Sequence, residues 1–406
     1  MNVVREAIDR YVDALVDCGD IVSPHIEQAF RTVQRHRFVD GWFRLEIVDL
    51  QATFHPVEYD RDDPSVAQID EIYSDSALIT AFDGRRPTSS TSQPKIMGQM
   101  LERLELEAGM NILEIGAGTG YNAALLAEIV GSEGGVTSIE IQEDVAQQAM
   151  AHLHSEGYEQ VRVLRGDGAR GATDSAPFDR IVATVGCSDI APAWLDQLAP
   201  NGRILVPLQH GHFDPLAEVL PDPNDPGAAV GRIMDRAGFM PIQGEMHWVK
   251  PWATVIAGMP QTPRWTRPLP NPLPPVGNGM KHANNHPAHR AFHFFLGLGS
   301  RDLWYTNRGC GLADRGAASA IVVTGQSVEG YSATGDEESL ETLYGRLIQS
   351  LDAWDRLARP KPTDYRLQFV PKSRDALTEG DDPSWTIERP FFWEIVTLPA
   401  HDATHP

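Results

Sequence analysis

Apolar and polar positions divide the chain into three stretches of different character. In the first, apolar residues at 4, 8, 12, 15 and 16 line one face of a predicted helix over 4–16. A second helix is predicted after Ser23-Pro24, with Ser23 as N-cap, Pro24 at the first helical position and Glu27 in the first turn. It carries Ile26, Phe30 and Val33 toward His36-Arg37-Phe38-Val39. The two helices read as a lid or substrate-side wall. Residues 43–69 keep no clean period: Arg61-Asp62-Asp63-Pro64 marks a turn, and Trp42, Phe43, Phe54 and Tyr59 need packing partners. They read as an insertion of unknown role. A hydroxyl-rich run over 72–94 ends at Gln93-Pro94, and a helix over 95–106 places Ile96, Met100, Leu101 and Leu104 on one face.

The middle stretch alternates strands with helices. Strands are predicted at Asn111–Ile115, 136–141, 161–164, 178–184 and 202–208, with helices from Tyr121, over 144–157 and over 192–198. This spacing predicts an α/β fold with a doubly wound parallel sheet and ligands at the strand carboxyl ends. Two further strand-like runs, around 233–239 and 247–257, read as antiparallel additions at the sheet edge. Seven prolines over 260–279 then predict an extended, semi-rigid linker. In the last stretch, 319–324 and 329–333 read as a hairpin and 340–354 as an amphipathic helix with Leu340, Leu343, Leu347, Leu351 and Trp354 in one stripe. With strands at 365–370 and 391–398, this is a separate α+β unit. The expected organisation is 1–259 with its helical lid, a linker over 260–282, and a C-terminal domain over 283–406 that binds peptide.

Charge narrows the partners. Lys and Arg number 34 against 56 Asp and Glu, a net −22, so nucleic acid and anionic membrane are disfavoured. Cys18, Cys187 and Cys310 are odd in number and far apart, which fits reduced thiols rather than a disulfide frame or zinc site. With Arg5, Glu6 and Asp9 in the first ten residues, no signal peptide is expected there, and no apolar run is long enough to span a bilayer. A cytoplasmic monomer is the expectation. His282, His286, His289 and His293 lack acidic or cysteine partners nearby and are interrupted by Pro287, so no metal site is assigned. They are read as lying on a polar helix face.

The chemistry concentrates in Glu114-x-Gly116-x-Gly118-x-Gly120, between a strand and a helix. Such a loop leaves backbone N–H groups bare at a positive helix terminus, and its glycines let a ligand approach. A dinucleotide site is the first rival and a ligand-free tight turn the second. The spacing differs from Gly-x-Gly-x-x-Gly, however, and Glu114 would repel a pyrophosphate while suiting a cation such as S-adenosylmethionine. Glu140, about twenty positions on at a strand end, is placed to accept both hydroxyls of a ribose, or is a solvated strand tip. Asp167, between Gly166 and Gly168, is placed to accept from an adenine amino group. Thr91 and Ser92 either cap the helix that follows or touch a reacting carboxylate. Arg85 and Arg86 either draw in that carboxylate or sit on a solvated loop tip.

Several of these stretches together resemble protein-L-isoaspartate O-methyltransferases. The likeness rests on HRFV at 36–39, STSQP at 90–94, LEIGAGTGYNAALLA at 113–127, SIEI at 138–141, GDGARG at 166–171, APFDRIVAT at 176–184 and GRILVPL at 202–208. It implies a Rossmann-like class I S-adenosylmethionine-dependent carboxyl methyltransferase that releases S-adenosyl-L-homocysteine. Glu114, Gly116, Ala117, Gly118, Thr119, Gly120, Glu140, Ile141, Asp167 and Gly168 would bind the cofactor. Ser92 falls on the family's active-site serine, with Thr91 beside it where an isoleucine is usual; Arg85, Arg86, Gln93, Val185 and Gly186 would face the substrate. Two other departures are Leu78–Phe82 with Asp83-Gly84-Arg85-Arg86-Pro87 in place of a glycine-rich approach, and the added stretch beyond 260. The longer arrangement looks like methyltransferases of lanthipeptide and graspetide pathways. Those esterify an ordinary aspartate in a constrained, ribosomally made (RiPP) precursor peptide, giving an aspartimide or isoaspartate; this is the expected activity, with isoaspartyl repair aided by an accessory domain, or a catalytically silent peptide-binding chaperone, as the alternatives.

Overall fold

The computed structural model describes residues 2–48, 51–84, 86–210, 213–247, 259–260, 262–274, 286–300, 302–306, 309–375 and 382–399. By contact density the chain forms two compact units. The first comprises Met1–Pro207, Glu218–Pro221 and Phe239–His247; the second comprises Leu208–Ala217, Asp222–Gly238 and Trp248–Pro406.

The first unit opens with α1 (Asn2–Asp17) and α2 (Pro24–Thr32). Ser23 takes the N-cap position of α2, but its hydroxyl donates to Glu102 Oε2 at 2.6 Å instead of capping the helix. The region read as an insertion folds into β1 (Gly41–Val48), β2 (Gln51–Glu58) and α3 (Val66–Ile72). With β3 (Leu78–Phe82) and β4 (Pro87–Thr91) it forms an antiparallel sheet in the order β2-β1-β3-β4. The aromatics that needed partners find them here: Trp42 stacks at 5.5 Å on Tyr59, and Phe82 lies 4.7 Å from Phe43 and 4.6 Å from Phe54.

Helix α4 (Pro94–Leu104) leads to the central sheet. This contains β5 (Asn111–Ile115), α5 (Tyr121–Val130), β6 (Gly135–Glu140), α6 (Glu143–Ser155), β7 (Val161–Arg165), β8 (Phe178–Ala183), α7 (Pro192–Asp196) and β9 (Leu198–Pro207). The strands run parallel in the order β9-β8-β5-β6-β7. The chain moves outward from β5 to β7, then returns to pair β8 on the other flank of β5. The glycine loop after β5 therefore sits where strand order reverses, the position at which such sheets bind ligands. Nearly every residue of β5, α5 and β8 is buried, as strands covered on both faces require.

In the second unit β10 (Pro215–Pro221) contributes only its first three residues. Strand β11 (Ala229–Arg236) is antiparallel as read but is not an edge strand: it lies between β10 and the late strand β17 (Arg366–Pro371). The run predicted at 247–257 lies outside the described residues but for His247. Part of the stretch read as a linker is built in: β12 (Trp265–Pro268) pairs with β16 (Ser327–Ser332), and Leu269 and Leu273 are buried in the core. Proline fixes φ and removes a donor, but an edge strand tolerates both. Helix α8 (Pro287–Gly299), β13 (Leu303–Thr306), β14 (Gly309–Asp314), β15 (Ser319–Thr324) and α9 (Glu337–Arg356) surround that core. All five stripe residues of α9, Leu340 to Trp354, are buried.

The histidines on α8 correct the reading of a polar face. His289 and His293 are buried, His289 Nε2 lies 3.1 Å from the Pro274 carbonyl, and Pro287 opens the helix at its first turn instead of interrupting it. His282 lies outside the described residues, among which no group of three or more His, Cys, Asp or Glu could hold a metal ion. Nor, among them, is any helix long and apolar enough to cross a membrane.

Strands β18 (Ser384–Glu388) and β19 (Phe392–Thr397) complete the sheet β11-β17-β19-β18. Here Glu394 is sealed from solvent, taking Arg389 Nε at 2.7 Å and lying 2.9 Å from His210 Nε2. Burial pushes its carboxyl up, but Arg389 and His210 outweigh burial and hold it at about 2. A carboxyl depressed on folding stabilises above its unfolded pKa, and that contribution is lost as pH falls toward 2. Arg389→Met leaves the acid buried without its main partner. Urea unfolding should show a loss of about 3–5 kcal/mol at pH 7, and a smaller loss where Glu394 is protonated.

Candidate functional site

The loop after β5 is shaped by the protein around it. Gly116, Gly118 and Gly120 have φ of 101°, 53° and 85°, left-handed values that favour glycine. A Cβ at Gly116 would stand 2.8 Å from Val185 Cγ1, and one at Gly118 would stand 3.1 Å from the Ser90 carbonyl oxygen. The loop therefore packs against the end of β8 and against β4 at once. Four of its amides are engaged within the protein. Gly116 N and Ala117 N donate to the Ile139 carbonyl at 2.8 and 3.2 Å, Gly120 N donates to Ala117 O at 2.9 Å, and Gly118 N donates to Glu140 Oε2 at 3.2 Å. Thr184 Oγ1 fixes the loop from beneath, donating to Gly116 O at 2.7 Å. Thr119 O lies 2.9 Å from His152 Nδ1, and the far nitrogen of that ring is 3.0 Å from Asp40 Oδ2.

Glu114 lies beneath this loop and does not face an open pocket. It is fully buried, and its oxygens accept from Asn122 Nδ2 at 2.7 Å and Ser138 Oγ at 2.5 Å. Burial raises its carboxyl to about 7; the two hydrogen bonds oppose the rise and the charge of Glu140 adds to it. Glu140 ends β6 almost buried, with Gln142 N at 3.0 Å on Oε1. Burial pushes it up, while the amides of Gln142, Gly118 and Ile141 pull it down. Gln142 Nε2 in turn donates to the Thr88 carbonyl at 2.9 Å, tying β4 to the end of β6.

Asp167 is already bonded on both oxygens. Oδ1 accepts from Ala169 N at 3.0 Å and Oδ2 from Glu245 N at 2.7 Å, so it joins its own turn to Gly244–Met246. Gly168 packs on Ile115, where a Cβ would come within 2.4 Å of Cγ2, and its carbonyl accepts from Trp194 Nε1 at 2.8 Å. Val185 reaches the loop, whereas Gly186 is held by backbone bonds to Met240 and Ile242.

At the corner after β4, the capping reading for Thr91 and Ser92 gives way. The N-cap of α4 is Gln93, with no side-chain cap bond of its own. A distant carboxylate does the capping: Asp75 Oδ1 accepts from Lys95 N at 2.9 Å, and Oδ2 accepts from Gln93 Nε2 at 2.8 Å. Gln93 is thus spent on Asp75. Thr91 Oγ1 is buried without a hydrogen-bond partner among the described residues, Ser92 is half-buried, and Thr80 Oγ1 donates to Ser89 Oγ at 3.2 Å. Arg86 sits on the exposed turn between β3 and β4, its amide on Asp83 Oδ1 at 2.9 Å; Arg85 lies outside the described residues.

The structure therefore gathers the glycine loop, Glu140, Val185 and β4 into one place, sets Asp167 and Gly168 at the neighbouring strand end, and leaves Arg86 on an outlying turn. Asp75, Asp40, His152 and Trp194 went unnoticed because each acts across a long sequence separation; only Asp40, directly after HRFV, lay next to a recognisable motif. A loop with four engaged amides and Glu140 beside it is a poor pyrophosphate cradle. Those residues do fit a neutral nucleoside bearing a sulfonium.

Comparison with known proteins agrees with this geometry. Residues 7–246 match the family model of protein-L-isoaspartate(D-aspartate) O-methyltransferase (PCMT). The chain is 32% identical over 251 residues to a protein-L-isoaspartate O-methyltransferase of Methanopyrus kandleri, covering 62% of this chain and 97% of the relative. It is 33% identical over 243 residues to one of Thermococcus sibiricus, covering 59% and 94%. A solved structure titled protein-L-isoaspartate O-methyltransferase superposes with a TM-score of 0.51 at 22% identity, over 89% of this chain and 96% of that one, which shows a shared fold. The chain belongs to the protein-L-isoaspartate O-methyltransferase family, and is an S-adenosylmethionine-dependent carboxyl methyltransferase of class I fold.

Proposed function

We propose that the protein methylates the side-chain carboxylate of isoaspartyl residues in proteins or peptides, as the names of its relatives describe for them. The observation that carries this reading is the hydroxyl-rich strand β4, which runs against Gly118 and ends at Thr91-Ser92 with Ser92 released from capping. When bound, S-adenosylmethionine supplies an electrophilic methyl group on a sulfonium. Glu140 would hold the ribose hydroxyls, with Ala117, Thr119 and Ile141 lining the site and Asp167 and Gly168 beside the adenine. Ser92 and Thr91 would direct hydroxyls at the substrate carboxylate and aim its lone pairs. That carboxylate is ionised at neutral pH, so no general base is required. Placement is the main catalytic contribution, worth several kcal/mol as effective concentration. Arg86 and the undescribed Arg85 would attract the acid from the turn, and the second unit would grip the polypeptide around it.

A second reading, an ordinary aspartate in a constrained lanthipeptide- or graspetide-type peptide going on to an aspartimide, is favoured by one observation. The sheet β2-β1-β3-β4 packs Phe82 against Phe43 and Phe54 on the strand that precedes β4, an apolar cluster suited to a constrained peptide. Labelled donor offered with an isoaspartyl peptide, its aspartyl twin and a ring-constrained aspartyl peptide separates the two. Label on the isoaspartyl peptide is expected; label on the ring peptide alone would overturn the first reading.

Ser92→Ala should lower kcat by about tenfold to a hundredfold, the value of a hydrogen bond to a charged group, with donor affinity unchanged by calorimetry. Glu114 gives a pH test. Its carboxyl is raised from 4.5 to about 7, so the folded protein keeps a proton that the unfolded chain has lost. Stability should fall as pH rises through this window, by on the order of 3 kcal/mol in total. Glu114→Gln should flatten that slope in urea titrations between pH 5 and 7.

A further inference from the structure

Arg35 begins the short turn Arg35–Phe38 after α2, and its guanidinium is sealed from solvent. Among the described residues its hydrogen-bond partners are all carbonyls. One terminal nitrogen donates to Ile72 O at 2.6 Å and Ser74 O at 3.2 Å; the other donates to Ser76 O at 2.9 Å and Ser92 O at 3.0 Å. A buried charge is costly unless hydrogen-bonded, and only a planar fork can serve two backbone segments at once. Three of the four carbonyls belong to residues 72–76, which also carry Asp75. The Asp75 carboxylate holds Gln93 and the Lys95 amide, while the Lys95 ammonium pairs elsewhere, with Asp20 at 3.1 Å.

We propose that Arg35 and Asp75 form a two-limbed clamp that positions Ser92 for methyl transfer. Arg35 fixes the Ser92 carbonyl directly. It also fixes the segment from which Asp75 caps α4, so the Ser92 hydroxyl is left for the substrate carboxylate and is not spent on the helix. Both are positioning residues: neither touches a reacting group. The inference rests on the reading of Ser92 given above.

The test is a double-mutant cycle on the full chain with an isoaspartyl peptide and labelled S-adenosylmethionine. Asp75→Ala should lower kcat about tenfold or more while the KM for S-adenosylmethionine stays within about twofold. Adding Ser92→Ala to it should cost no more than about threefold further, because in the Asp75→Ala protein the hydroxyl turns to cap α4. Arg35→Lys should show the same split, and millimolar methylguanidinium should restore part of the activity of Arg35→Ala. Independently of activity, amide exchange in Asp75→Ala should accelerate at least tenfold over residues 93–97 and stay unchanged over 116–120. Losses that multiply, or a parallel rise in the KM for S-adenosylmethionine, would overturn the clamp and leave Asp75 as general scaffolding. If Ser92→Ala alone costs nothing, the reading of Ser92 fails first; faster exchange at 93–97 would then still establish the cap, without its catalytic meaning.

Discussion

Two acids buried side by side under one loop set the terms for the first unit. Glu114, next to last in β5, and Glu140, last in the adjacent parallel strand β6, are both nearly inaccessible to water, and the charge of Glu140 raises the cost of ionising Glu114. Glu114 is held by Asn122 from α5 and Ser138 from β6, Glu140 by the amides of Gly118 and Gln142. The loop, the helix after it and the neighbouring strand are thereby tied to the same pair of carboxylates. An anionic ligand at this loop would meet the Glu140 carboxyl, with the Gly116, Ala117 and Gly118 amides already engaged, so a phosphate is poorly served there.

What could be read from residue order was what residue order determines locally. The parallel sheet, the glycine loop, Glu140 at a strand end and the leucine stripe of α9 all depend on spacings of a few residues, and they were legible. Features set by distant partners were not. Nothing near Glu114 announces that Asn122 and Ser138 will take both its oxygens, so its role as a buried electrostatic element went unseen. Thr91 and Ser92 precede a helix, and short-range logic offers them as caps; Asp75, some twenty residues earlier, takes that task. Prolines at 268, 270 and 272 and the histidines of α8 misled for a related reason. Composition suggested a linker and a polar face, and tertiary burial of Leu269, Leu273, His289 and His293 decided otherwise.

The hairpin once without a role can be given a mechanical one. Strand β1 meets β3 at Phe43 and Ile79, β3 pairs with β4, and β4 brings Ser89 and Ser90 against Gly118, just before Thr91 and Ser92. Phe82 reinforces the chain of contacts by packing on Phe43 and Phe54. Antiparallel pairing transmits displacement between neighbouring strands because a register slip would reverse every side chain. The Ser92 corner is thus held along its length by a sheet and at its end by Arg35 and Asp75. A hydroxyl that must meet a carboxylate within a few tenths of an ångström needs such support, since misplacement by about 1 Å can cost a hundredfold in rate. On the role proposed for Ser92, rigidity around it, more than any special reactivity of its hydroxyl, is what the surrounding residues would contribute to the transfer.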